Sequence, residues 1–215
     1  MDSRERQMQI ERMRHSDLGE RIEAAWTLAQ SADPEAVAAT LEALDQPDSY
    51  HPEVISNVID GLIAGAPATL TQVLVHLEQT PLSPGGRDCA YVLGEVAYRQ
   101  GSARDPRIVP ALLKALDAYL PFGTRAASTA VAALRECARS APLPGAEEAM
   151  LAVLSLAERE EDPYSWALEN ALEALYANRG ERLLPELKTR LQTLPPEHKL
   201  ALAIEDFLHE KGFIS

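Results

Sequence analysis

The chain of 215 residues lacks long apolar runs, and no stretch approaches the length of a membrane-spanning helix. Its first residues mix acidic and basic side chains around no apolar core, so the sequence predicts neither a secretory signal nor a transit peptide. Cysteine is also scarce: Cys89 and Cys137 stand among apolar residues without a CxxC pair. We therefore expect two buried thiols in a reducing, cytoplasmic compartment, with a disulfide between them as the alternative.

Aromatic residues make up only 5% of the chain, whereas alanine and leucine together account for close to a third. This composition favours helix over sheet, and the apolar fraction of 46% is that of a folded globular protein. The formal net charge is −13. Because phosphates repel an acidic surface, the charge argues against a nucleic-acid partner.

Motifs of catalysis and metal binding are missing as well. The sequence has neither a GxGxxG nor a GxxxxGK[ST] loop, and no HExxH pair. The acidic run EREED (158–162) is expected to be a solvated turn rather than a cation site. We therefore predict a protein that is not an enzyme and that binds no cofactor and no metal. Its histidines are scattered: His15, His51, His76, His198 and His209.

The chain is, however, repetitive. DPEAVAATLEALD at 33–45 and DPRIVPALLKALD at 105–117 share eight of thirteen positions, and APATLTQVLVHLE at 66–78 keeps the proline and the apolar positions. In the first block Asp33 is suited to cap a helix whose first residue is Pro34, and we expect the same of Asp105 and Pro106. The apolar residues then follow at steps of four and three, which is the stripe of an amphipathic helix.

Each block is preceded by another helical pattern, and breakers such as QPDSYHP (46–52) and PLPGA (142–146) separate the units. Five helix pairs are predicted over 16–194, with a capping helix at 1–15 and another at 195–215, about twelve helices in one domain over 1–215. Five leucines mark equivalent points of the first helices: Leu28, Leu62, Leu93, Leu134 and Leu175.

The string CAYVLGEV (89–96), followed by DPRIVPALLKALD, resembles a HEAT repeat of the short bacterial type, related to the phycobilisome-lyase HEAT-like repeats. The unit at 24–45 is similar to the same pattern. The resemblance implies an all-α, right-handed α-α superhelix, a HEAT-like solenoid. Since stacked helix pairs present an extended concave surface, we expect the second helices to line it.

One window has charge of a single sign. Residues 22–86 contain no lysine or arginine and nine acids, which is most of the net charge. The window indicates either simple solubility or a docking surface for a basic partner, because complementary charge speeds and orients association. The candidate partner-binding residues are Glu35, Glu42, Asp45, Asp48, Gln72, His76 and Lys114.

The leading hypothesis is a non-catalytic protein-binding scaffold with a basic protein partner, and its sharper version is an inhibitor or immunity-type protein. The alternatives implied by the resemblance are a bilin lyase-like enzyme or chaperone subunit and, behind it, a DNA glycosylase of the HEAT-like class. The two tryptophans, Trp26 and Trp166, are expected to pack between neighbouring first helices, with an aromatic binding surface as the other interpretation. The oligomeric state stays open.

Overall fold

The structure is a computed structural model that describes residues 1–143 and 145–214, so Pro144 in the predicted breaker and Ser215 in the predicted C-terminal cap lie outside it. The chain divides into two compact units, Met1–Arg99 and Gln100–Ser215. All regular structure in the described ranges is helical, which confirms the all-α fold class. The single domain over 1–215 and the handedness of a superhelix stay predictions.

Within the described residues the first unit contains six α-helices and the second contains six more, in agreement with the predicted number of about twelve. The helices of the first unit are α1 (Ser3–His15), α2 (Leu18–Ala29), α3 (Pro34–Asp45), α4 (Pro52–Ala64), α5 (Leu70–Gln79) and α6 (Pro84–Gln100, whose last residue belongs to the second unit). Those of the second unit are α7 (Ile108–Tyr119), α8 (Thr124–Ser140), α9 (Ala146–Ala157), α10 (Ser165–Arg179), α11 (Leu184–Thr193) and α12 (Lys199–Glu210).

The helix starts follow the predicted capping chemistry in part. Asp33 accepts a hydrogen bond from the backbone N–H of Glu35 at 3.1 Å, and Pro34 is the first residue of α3. Asp105 accepts in the same way from the N–H of Arg107 at 2.9 Å, but α7 begins only at Ile108. The helix predicted at 66–78 begins at Leu70, because Pro67 lies in a preceding turn.

In each unit the most extensive contact joins two first helices. α2 and α4 share an extensive contact, as do α8 and α10, whereas α3 with α5 and α7 with α9 touch only lightly. Small side chains permit this approach: a Cβ added at Gly61 would lie 2.7 Å from the Cβ of Ala29. The five leucines that mark equivalent points of the first helices, Leu28, Leu62, Leu93, Leu134 and Leu175, are all fully buried.

The acidic run 158–162 is a turn, as predicted, but it is only partly solvated. Glu160 accepts from the backbone N–H of Thr124 at 2.8 Å and so caps α8. Glu158 pairs with Arg190 of α11, and Asp162 pairs with Lys199 of α12. Three of its four acids thus meet a group more than thirty residues away along the chain, which the local sequence could not predict, whereas Glu161 is exposed.

The two cysteines are free, buried thiols, as predicted. Burial raises the pKa of both, that of Cys137 to about 12. In the described part of the chain, no helix combines the length and the apolar character that crossing a membrane requires.

Candidate protein-binding surfaces

The N-terminal helix meets the acids of the window 22–86. Arg6 pairs with Asp33, with 2.7 Å between Nη1 and Oδ2, and also with Glu35. Arg12 pairs with Glu23 at 3.2 Å. The guanidinium of Arg6 holds the pKa of the Asp33 carboxyl below its usual range, chiefly through the hydrogen bond between them. The side of the window that faces α1 is therefore partly neutralised.

A groove lies between the second helices α3 and α5. Its volume is about 300 Å³, and it is lined by Ala38, Leu41, Glu42, Thr71, Gln72, Val75, His76 and Gln79. We call it the second-helix groove. Residues at steps of three and four on each helix face it, as the geometry of a helix requires. Val75 stands at its centre with 44% of its surface exposed, although it is a large apolar residue.

The groove has a polar wall with unmet hydrogen-bonding capacity. The side-chain oxygen Oε1 of Gln72 is buried and has no hydrogen-bond partner among the residues described. His76 places Nε2 at 3.2 Å from Oδ2 of Asp45, without the alignment that a hydrogen bond requires. A buried acceptor without a partner costs free energy, so a donor supplied by a bound molecule would stabilise this wall.

Asp45 serves the packing of the unit. Its Oδ1 accepts from the backbone N–H of Gly85 at 3.1 Å, which joins the end of α3 to the start of α6. A Cβ at Gly85 would lie 2.6 Å from that same oxygen, so the contact depends on the glycine. Asp45 consequently lies behind His76 and is not a free surface charge.

The structure brings together four of the predicted partner-binding residues, since Asp45 contacts His76 from behind the groove, and it separates the other three. Glu42, Gln72 and His76 line the second-helix groove. Glu35 is held by Arg6 at the start of α3, and Asp48 is exposed in the turn after it. Lys114 is exposed on α7, in the other unit.

Sequence reasoning missed a larger recess in the second unit. It has a volume of about 580 Å³ and lies between α8, α10 and α12. We call it the α10 recess, and its lining is Arg135, Arg139, Trp166, Glu169, Asn170, Glu173, Ala203, Asp206, Phe207 and Glu210. The available signal was the spacing of Trp166, Asn170 and Glu173 at steps of four and three, which places them on one face of a helix.

The expected packing role of the tryptophans does not hold. Trp26 is 36% exposed and Trp166 is 44% exposed, so neither is enclosed between first helices. Where α2 and α4 approach each other, Ala29 faces Gly61 instead, and these small residues allow a closer approach than an indole ring. In the residues that the structure describes, no group of three or more His, Cys, Asp or Glu side chains is placed to hold a metal ion.

One of the repeats matches a known protein family. Residues 20–46 match the family model described as PBS lyase HEAT-like repeat, and this segment spans most of α2 and all of α3. The chain carries a HEAT-like repeat. No curated protein and no solved structure matches the chain.

The HEAT-like repeat supplies one side of the second-helix groove, since Ala38, Leu41 and Glu42 belong to it. The match covers one of the two units whose sequences resemble the motif, and the unit at 89–117 lies outside it. A helical repeat of this kind is a scaffold whose exposed faces vary while its buried positions hold the stack together.

Proposed function

We propose that this chain is a non-catalytic protein-binding scaffold that docks a basic protein partner in the second-helix groove. The observation that carries the proposal is the conjunction in one groove of exposed Val75, the unpartnered oxygen of Gln72 and the carboxylate of Glu42. The groove lies in a segment, 22–86, that contains no lysine or arginine.

The composition of the groove suits a protein surface. Interfaces commonly have an apolar centre that excludes water and a polar rim that sets orientation. Val75 and Ala38 supply exposed apolar surface here, and Gln72 supplies an acceptor for a partner's N–H group. A volume of about 300 Å³ accommodates one or two side chains of a partner.

The negative charge of the segment favours a partner with a positively charged surface. Glu42 is 69% exposed, and the nearest recorded cation, Arg14, lies at the outer distance of 4.0 Å. A basic partner would therefore be attracted to this side of the groove and would gain association rate from the charge. The inhibitor or immunity-type role is the sharper version of this proposal, in which the docked partner is a basic enzyme.

Site-specific photocrosslinking tests the proposal. A benzophenone amino acid is placed at Val75 and, as a control, at Phe122, which is 65% exposed in the other unit. We expect the Val75 probe, and not the Phe122 probe, to capture a basic protein, and we expect capture to fall in salt because exposed charges are screened.

The affinity of variants for the purified captured protein then distinguishes the effect of a charge at the groove from the effect of net charge. Glu42→Lys is expected to weaken binding by about tenfold or more, since it reverses a charge at the groove. Asp60→Lys changes the net charge equally at an exposed site on α4, outside the groove lining, and is expected to change affinity by less than about threefold. Equal losses in both variants, or equal capture by both probes, would contradict a specific groove.

A further inference from the structure

The α10 recess is a built site with a polar floor. Asn170 is 1% exposed, and its Nδ2 donates to the backbone oxygen of Trp166 at 2.6 Å. Its Oδ1 is buried and lacks a hydrogen-bond partner in the described ranges of the chain. Because Nδ2 is committed to the helix backbone, Oδ1 is left as an acceptor for a donor from outside the helix.

One end of the recess already holds a cation of the chain. Lys211 places Nζ at 2.7 Å from Glu173 and at 3.1 Å from Glu210. The same ammonium lies 5.4 Å from the ring centre of Phe207. Carboxylates and an aromatic ring thus bind a positive charge at this end, which combines ion pairing with a cation–π contact.

The other end also combines an aromatic ring with carboxylates, and here the carboxylates are not paired with a cation of the described residues. Trp166 presents an exposed indole whose ring is set by an edge contact with Tyr164, with 6.4 Å between the ring centres. Glu169 and Asp206 line the recess near it and form no ion pair within residues 1–143 and 145–214. An arginine over an aromatic ring is also present nearby, since Arg125 lies 4.5 Å above the ring of Tyr164.

The arginines of the recess do not reverse its sign. Arg135 and Arg139 both pair with Glu136 of the same helix. With Glu136 and Lys211 counted, the recess contains five acids and three bases. The unpaired carboxylates stand at the Trp166 end, so an approaching cation is drawn there rather than to the carboxylates that already hold Lys211.

We propose that the α10 recess binds an extended, arginine-bearing peptide segment, with an arginine side chain stacked on Trp166. Its guanidinium is directed toward Glu169 and Asp206, and an N–H group of the peptide donates to Oδ1 of Asn170. The planar guanidinium suits this site, because it stacks on an indole and still donates within its own plane. The site lies on the first helices of the second unit and does not depend on the second-helix groove.

Fluorine NMR offers a test with an internal control, since the chain has only two tryptophans. The full-length protein is labelled with 5-fluorotryptophan, and Trp166→Phe assigns the two resonances. The probe is the peptide acetyl-Ala-Arg-Ala-Arg-Ala-amide, titrated at low salt. We expect the Trp166 resonance to shift with a Kd on the order of 0.1 mM while the Trp26 resonance stays in place.

Two matched comparisons make the test specific. A peptide with citrulline in place of arginine keeps the shape and loses the charge, and it is expected to bind about tenfold more weakly. Glu169→Gln with Asp206→Asn is expected to weaken binding by about fivefold or more, whereas Glu181→Gln with Glu197→Gln removes two exposed acids outside the recess lining and has little effect.

The proposal is overturned if both fluorine resonances shift together, if the citrulline peptide binds equally well, or if the two double variants behave alike. The Glu42→Lys variant distinguishes this proposal from the proposed function of the second-helix groove. It is expected to leave the Trp166 titration unchanged, so either site can fail without the other.

Discussion

At the scale of single residues, Asp88 of α6 is the carboxyl most altered by folding. It is half-buried, and burial raises its pKa to about 6, with a smaller contribution in the same direction from Asp45. Arg87 acts in the opposite direction but does not compensate. Since the folded state favours the protonated form, ionisation of Asp88 costs stability.

Asp88→Asn is therefore expected to stabilise the protein at neutral pH. The folded pKa lies above the unfolded value, so the wild type is free of the penalty below about pH 4 and loses stability as pH rises to about 6. One pKa unit corresponds to about 1.4 kcal/mol, and solvent screening at this half-buried site reduces the gain to about 1–2 kcal/mol.

Urea unfolding of both proteins between about pH 4 and about pH 7.5 measures this difference. The gain should be absent at the acidic end and complete above about pH 6. Asp60→Asn, which removes one exposed charge from α4, is the control. A gain that does not change with pH would show that the carboxyl is not the cause.

At the scale of helices, the close approach of α2 and α4 depends on Gly61. A Cβ at this position would lie 2.7 Å from Cβ of Ala29 and 3.2 Å from the backbone oxygen of Trp26. Both neighbours are held in a helix and cannot yield easily. The added methyl group must therefore push the two first helices apart, along the most extensive contact of the first unit.

Gly61→Ala is expected to destabilise the protein by about 1–3 kcal/mol, even though alanine is the better helix former. Gly19→Ala in α2 is the matched control, since its Cβ would meet only Asp17 Oδ1 at 3.4 Å. That substitution should stabilise by up to about 1 kcal/mol. Thermal unfolding measures both, and a change of the same sign in both would mean that helix propensity outweighs packing.

The helix α1 has a second role besides capping the stack. Of its apolar residues, Met13 is fully buried whereas Met8 is 51% exposed, so only one side of the helix packs inward. Its arginines meet Asp33, Glu35 and Glu23. The helix therefore both covers the end of the first pair and lowers the charge beside it.

At the scale of the whole molecule, the net charge of −13 implies repulsion that the ion pairs only partly offset. Raising the salt concentration from about 10 mM to about 150 mM shortens the screening length from about 30 Å to about 8 Å. Repulsion among exposed acids at long range is then lost, while the shorter ion pairs are weakened less.

We expect the Tm at neutral pH to rise by about 2–5 °C over this range of salt. Sodium chloride and potassium chloride should give the same rise, because screening does not depend on the identity of the cation. A fall in Tm would indicate that ion pairs such as those of Arg6 contribute more than repulsion costs.

The sequence by itself determined which segments are helices and which of their apolar residues form the buried face. Helix number, order and many of the starts follow from apolar spacing, capping acids and prolines, which are properties of a few adjacent residues. The same local rule identified the five buried leucines and the two buried thiols. The resemblance to HEAT repeats predicted in addition that the first helix pair is a HEAT-like repeat, which the match at 20–46 supports.

Only the tertiary structure decided which side chains meet. Glu42 comes together with Gln72 and His76, and Trp166 with Asp206, because helices thirty to forty residues apart in the chain are neighbours in the stack. Helix packing also pairs Glu158 and Asp162 with basic residues of later helices. In the same way, acids of the window 22–86 form ion pairs with arginines of α1. Charge and spacing predict that such groups are present, but their partners depend on how closely each pair of helices packs.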